Sequence, residues 1–228
     1  MNGKFSKYLT YVFIGCLVLI FVLNKADESQ TWAPIVKAIC FYVAIACGLV
    51  YLSVIVLSII ENKKIDKMLN ADDFDSIIVF ANNKLNKSHS FFANRSHYYE
   101  YLLLLSYLGK DDIENANIYF DKLKGQEIMF PMISYWRVCH KFSINEYDNL
   151  EEDYTVFKNS REVARAPQKY GNLLELLNAF ILYSKGNIKE SKNIISTLNT
   201  DNVSMPATLR SIKIVNDTVI NEEENAAE

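Results

Sequence analysis

The sequence predicts an all-α protein: an N-terminal two-helix transmembrane hairpin, then a domain of about four helix pairs closed by a capping helix. Three observations predict it. Two uncharged runs, residues 8–23 and 38–60, dominate the first sixty positions. After them the apolar residues recur with helical period, broken at regular intervals by short turns rich in Asp, Asn and Gly. Only seven Gly and four Pro occur in 228 residues, which favours long elements over a loop-rich β fold. Half the residues are apolar, too many for a disordered chain.

A helix rises ~1.5 Å per residue, so a ~30 Å hydrocarbon core needs ~20 residues. The second run, of twenty-three residues, spans it directly. The first, of sixteen, is extended by Phe5 and Asn24, while Lys7, Lys25 and Lys37 can snorkel to the headgroups. The spans are therefore placed at about 7–24 and 36–60, joined by a short loop in which Trp32 suits an interface. Cys40, Ala44 and Gly48 form a small-residue stripe on the second span, and Gly15 and Cys16 offer a similar spot on the first, so close packing of the two is expected. A cleaved signal peptide is rejected, because the run is long, lacks a small-x-small site and is followed by a second span. A lipobox around Cys16 is rejected because apolar residues follow the Cys.

Lys4 and Lys7 flank one outer end of the hairpin and Lys63, Lys64 and Lys67 the other, against Lys25 in the loop. The positive-inside rule then places both termini in the cytosol. Three of the four Cys lie in the spans and only Cys139 in the remainder, as suits a reducing compartment. The wealth of Asn, Lys and Ile is that of an AT-rich microbial genome, so a bacterial inner membrane is the expected location. Residues 1–60 carry a formal charge of +2 and residues 61–228 of −5. Phosphate neutralisation dominates nucleic-acid affinity, so the acidic soluble part argues against a nucleic-acid partner.

From residue 62 onward four segments carry a stripe at offsets 0, 3, 7 and 10, which is one face of a helix. They are Phe74, Ile77, Ala81 and Lys84; Ile113, Ala116, Phe120 and Leu123; Tyr147, Leu150, Tyr154 and Phe157; Ile188, Ser191, Ile195 and Leu198. Lys84 and Ser191 are the polar exceptions. The stripe starts are 39, 34 and 41 residues apart, and each follows a turn such as Gly109-Lys-Asp-Asp112 or Lys185-Gly-Asn187. Before each turn lies an opening helix. Residues 98–108 and 173–183 are apolar almost all round, as an inner layer requires. In the first pair, residues 62–69 serve as the opening helix, continuous with the second span.

A helical pair repeating every 34–41 residues is the pattern of an α-solenoid. On Leu103, Tyr107, Gly109, Ala116 and Phe120, and again on Ala179, Leu182, Gly186 and Ile195, the chain resembles the tetratricopeptide-repeat superfamily. The resemblance covers roughly residues 62–200 and implies a helical-repeat architecture with a protein-binding habit. The pair from Ile133 to Phe157 departs from it, with Arg137 and Lys141 where apolar residues are expected. The domains are thus placed at 1–61 (hairpin), 62–220 (repeats, with a cap from Pro206) and 221–228 (an acidic, disordered tail).

No reaction chemistry is legible, and the chain is not expected to be an enzyme. The glycines are scattered singly, so no phosphate loop exists. Cys139 and His140 are adjacent and point apart on a helix, read as a semi-buried Cys beside a surface His. His97 and Glu100 read as a hydrogen-bonded pair, and Glu151-Glu152-Asp153 as a solvated helix face. No cofactor or metal is expected. The suggestive feature is aromatic: Tyr98, Tyr101 and Tyr135, with Arg137, are candidates for a partner-binding groove on the opening helices, against a reading of each Tyr as packing. Two function classes remain. One is a membrane-anchored scaffold or adaptor that recruits a protein or peptide partner. The other is an accessory or immunity-type subunit whose hairpin docks on a transporter, channel or toxin. The sequence fixes neither the partner nor the oligomeric state.

Overall fold

The computed structural model describes residues 3–23, 33–87, 96–199 and 205–219. Among them all regular secondary structure is helical. The helices are α1 (Gly3–Leu23), α2 (Ala33–Asn70), α3 (Phe74–Lys87), α4 (Ser96–Gly109), α5 (Ile113–Lys122), α6 (Met132–Ser143), α7 (Leu150–Lys158), α8 (Arg161–Arg165), α9 (Pro167–Ser184), α10 (Ile188–Thr197) and α11 (Pro206–Asp217). The loop with Trp32 and the acidic tail lie outside the described residues. The chain divides into two compact units, Met1–Tyr99 and Glu100–Glu228.

In the first unit α2 is one helix of 38 residues, about 57 Å long at ~1.5 Å per residue. It is long and apolar enough to cross a membrane, and only 6% of its apolar window is buried. It is the one such helix among the described residues, where the sequence expects two; the apolar stretch of α1 is the shorter Tyr11–Val22. α1 packs on α2. Phe13, Cys16 and Ile20 are its less exposed positions, while Cys40 and Ala44 are buried on α2 and Cys47 is half-buried. Gly15 and Gly48, expected in the contact, are exposed. The reason is geometric: a four-residue step overshoots one turn by about 40°, so the stripe drifts and Cys47 takes the place of Gly48.

α2 runs unbroken past Glu61, where the sequence puts a domain boundary. α3 packs back on α2, with Ile65, Met68, Ile77 and Ala81 buried. Lys84 interrupts the α3 stripe because it is needed for charge: its Nζ meets Glu61 Oε2 at 2.5 Å, and Tyr99 donates to Glu61 Oε1 at 2.7 Å.

Four helices end in the same turn. Asp72, Asp111, Asn145 and Gly186 each adopt φ between 50° and 86°, the left-handed region that Asp, Asn and Gly tolerate best. The next residue then donates its amide five residues back: Asp73 to Met68, Asp112 to Tyr107, Glu146 to Lys141 and Asn187 to Leu182, each at 2.9 Å. This is the bond that closes a Schellman motif and satisfies an otherwise orphaned helix carbonyl. The spacings of these turns are 39, 34 and 41 residues, those of the stripes. Asp73 and Asp112 also cap the following helix, accepting from the amides of Ser76 and Asn115, and these hydrogen bonds hold both carboxyls below the ordinary carboxylate range.

The second unit is held by an aromatic and aliphatic core. Phe142 of α6 stacks on Phe180 of α9 at 4.6 Å, and Phe157 of α7 meets Tyr135 and Tyr170. Leu150, Leu177, Val138, Ile195 and Val215 complete it. Ser191 holds a core position on α10 because its hydroxyl donates to the Ala179 carbonyl at 2.8 Å. The stripes are less uniform than the sequence predicts. Ile113 is 37% exposed, Tyr147 lies ahead of α7, and the short helix α8 is inserted between α7 and α9.

Candidate functional site

The four candidate groove residues fall in different surroundings. Tyr98 belongs to the first unit, half-buried and tilted against Tyr99 at 5.8 Å. The other three belong to the second. Tyr101 is half-buried and stacks on Phe130, their centroids 5.2 Å apart and their planes 13° from parallel. Tyr135 is only 2% exposed, so of its two readings, open groove and packing, the structure has the packing one. Its ring packs on Trp136 and Phe157, and its hydroxyl lies beside Thr208 of α11 and Cys139. Burial raises its phenol well above the ordinary value.

Arg137 is also accounted for internally. Its guanidinium donates to Asp153 at 2.9 Å and to Glu127 at 2.8 Å and lies over the Phe120 ring. Asp153 accepts from Lys141 as well, at 2.9 Å. Burial opposes the charge on Arg137, but the hydrogen bonds to Asp153 and Glu127 outweigh it and raise its pKa. Arg137 and Lys141 thus stand where the repeat pattern expects apolar residues because α7 presents Asp153 to them. Asp153 is itself buried at 7% exposure, not part of a solvated face. A cleft of about 530 Å³ adjoins this network, lined by Phe120, Arg137, His140, Lys141, Glu152 and Asp153 among others.

His140, expected at the surface, is 2% exposed. Its Nε2 lies 2.8 Å from Asn117 Oδ1, and its ring tilts against Phe120. Burial, assisted by the charge of Arg210 and opposed by Asp111, lowers its pKa to about 4, so it is neutral at pH 7. Cys139 is fully enclosed, and burial pushes its thiol up to about 12. Such a thiol is inert as a nucleophile. Among the described residues no three His, Cys, Asp or Glu side chains converge as metal ligands.

The feature that sequence reasoning missed is where α11 goes. Read as a cap on the last pair, it does touch α10 and α9, but it packs chiefly on α6. Ser211 donates to the Cys139 carbonyl at 3.0 Å, and Arg210 reaches Ser143 and pairs with Asp111 in the turn after α4. The signal was present in the pattern. Tyr135, Cys139 and Ser143 recur every fourth residue on α6, and Ala207, Ser211 and Val215 do so on α11. Two narrow stripes of mostly small residues allow a close helix crossing. Comparison with protein-family models, curated proteins and solved structures finds no match to this chain.

Proposed function

We propose that the chain is a membrane-anchored interaction protein, a scaffold or adaptor whose cytosolic helical-repeat domain recruits a protein or peptide partner. The observation that carries this reading is α2. Its apolar window is almost wholly uncovered, with Tyr42, Leu49 and Leu57 each more than 60% exposed, yet the same helix continues into packed contact with α3. Lipid would cover the first part and leave the second as a rigid stalk. With α1 beside it, α2 would form the membrane hairpin, with both chain ends cytosolic. The four equivalent turns at 39, 34 and 41 residues support a tetratricopeptide-like repeat in the part that follows. Helical-repeat stacks serve as extended binding surfaces.

The competing reading makes the hairpin itself the docking element on a transporter, channel or toxin. Its support is the exposed apolar face of α2; against it, Cys40 and Ala44 of the small-residue stripe are already covered within the chain. Site-specific photo-crosslinking in the full-length protein separates the two. A benzoylphenylalanine at Tyr101 is expected to give protein adducts in native membranes, and one at Tyr42 only lipid adducts. Protein adducts at Tyr42 and none at Tyr101 would establish the hairpin reading instead.

A further inference from the structure

In the first unit, α3 runs back along α2 towards the end of the uncharged run. Asp73 bonds to Met68 at the turn, Lys64 lies over the Phe80 ring, and Lys84 meets Glu61. A groove of about 550 Å³ follows this pair, lined by Lys64 of α2 and by Asp75, Val79, Phe80, Asn83 and Lys84 of α3 among others. That volume is in the range of small-ligand sites. Its wall is apolar, with Val79 exposed and Phe80 half-buried. Two ammonium groups stand over the one Phe80 ring, Lys64 at 5.4 Å and Lys84 at 5.2 Å from its centroid. Lys84 is paired with Glu61, whereas Lys64 is exposed and has no carboxylate partner among the described residues.

Charge is segregated along the pair. Residues 61–67 and 80–87, at the end nearer the uncharged run, carry Lys63, Lys64, Lys67, Lys84 and Lys87 against Glu61 and Asp66. Residues 68–79, around the turn, carry Asp72, Asp73 and Asp75 and no cation. Lys64 lies four residues past Ile60, which is ~6 Å along the helix at ~1.5 Å per residue, and Met68 at the turn lies ~12 Å past it. The headgroup layer of a bilayer is ~5–8 Å deep on each side of the hydrocarbon. The cations of the groove therefore stand at the level of lipid phosphates, and the carboxylates of the turn stand beyond them.

We propose that the α2–α3 groove seats the headgroup of an anionic phospholipid, its phosphate held by Lys64, Asn83 and Lys84 and its acyl chains running along the uncovered apolar side of α2. The proposal rests on the reading of α2 as a membrane anchor. Lys64 can turn from the ring to a phosphate without breaking an ion pair, and Lys84 donates to it beside Glu61. The Phe80 ring beneath both ammonium groups excludes water from one side, which strengthens each contact relative to an open lysine. The acids at the turn repel an anion from the far end of the groove, so the phosphate is fixed at the membrane end. A lipid without net charge gains less from this field.

The test uses the full-length protein reconstituted in vesicles with a trace of spin-labelled phosphatidylglycerol or phosphatidylcholine, whose spectra separate lipid held at the protein from free lipid. Phosphatidylglycerol should be held in preference to phosphatidylcholine. Lys64→Gln should lower that preference about fivefold, the equivalent of ~1 kcal/mol for one lysine at a charged surface, and Lys64→Arg should keep it. Lys63→Gln removes the same charge one residue away but outside the groove lining, and should change the preference by less than about twofold. Both lysines are exposed, so none of these variants should alter thermal melting. Equal losses in Lys63→Gln and Lys64→Gln would overturn the groove in favour of diffuse attraction to the whole basic end. Displacement of the lipid by millimolar inorganic phosphate would also overturn it, since the site would then be one for a soluble anion. Alkaline extraction tests the anchor separately. A chain released by it overturns the membrane reading and the groove together; a chain retained without lipid preference overturns the groove alone.

Discussion

Helices α2 and α9 are both apolar over long stretches, yet their side chains meet opposite surroundings. Along α2, Leu49 and Leu57 are 62% and 63% exposed; on α9, Leu177 and Phe180 are fully buried. The difference lies in length and company. The apolar run at residues 173–183 of α9 covers about 16 Å, half a bilayer core, so it can be buried only by protein. α6, α7, α8, α10 and α11 supply that cover. The apolar part of α2 has α1 along one stripe and, on our reading, lipid around the rest. A hydrophobic helix identifies itself in the sequence; what surrounds it is a separate question, settled by what else the chain can bring to it.

The strongest way to break the comparison is to charge α2. Replacing both Leu49 and Val50 by Arg costs about 5–7 kcal/mol of membrane insertion at ~2.5–3.5 kcal/mol per Arg at mid-span. The variant is expected to leave the membrane pellet on alkaline extraction, whereas the parent stays. Retention of the double variant would mean α2 is not the anchor. Next in size, Phe180→Ala on α9 removes one partner of the Phe142 stack and opens a cavity. Thermal melting in detergent should show a loss of about 3–5 kcal/mol with membrane retention unaffected.

A smaller effect tests the charged interruption of the apolar pattern. Asp153→Asn leaves Arg137 and Lys141 facing each other without their shared carboxylate, and stability should fall by about 2–3 kcal/mol. Arg137→Ala should melt early too, so any loss of partner capture in that variant reports unfolding; unchanged melting would restore Arg137 as a groove residue. His140 supplies a pH dependence. Its pKa is about 4 in the folded chain against an ordinary 6.5, so between those values the unfolded chain binds the extra proton. Stability is therefore nearly full above pH 6.5 and falls by up to roughly 3 kcal/mol as pH drops towards 4. The groups facing His140 are Asn117, Phe120, Arg210 and Asp111. His140→Gln should flatten this limb of the profile, and an unchanged slope would assign it to the carboxylates instead. The smallest effect is at Ile113, a stripe position that the structure leaves 37% exposed. Ile113→Ala should cost under about 1 kcal/mol, where Phe120→Ala on the same stripe costs about 3 kcal/mol or more.

The sequence alone determined the helices, their turns and the spacing of those turns. Asp72, Asp111, Asn145 and Gly186 stand where the chain must turn left-handed, and local backbone sterics favour those residue types at such points. The 3.6-residue period likewise marks one face of each helix as apolar, which is why buried positions such as Ile77, Ala116, Phe157 and Ile195 were legible without coordinates. Periodicity says that a face is covered but not by what. Only the tertiary structure decided that Asp153 would be drawn in to pair with Arg137 and Lys141, turning an apparent break in the apolar pattern into a buried ion network. It also decided that Ile113 would stay at the surface, that His140 would be enclosed beside Asn117, and that α11 would cross α6 and cover Tyr135. These outcomes depend on residues up to about a hundred positions apart, such as Arg210 and Asp111, and no local pattern encodes which distant helix arrives at a given face. Of the two readings open for Tyr135, groove and packing, burial selects packing. A Tyr, a Cys and a Ser every fourth residue on α6 mark a binding face in either case, and the free energy of the docked helices, not the pattern, selects the chain's own C-terminal helix to occupy it.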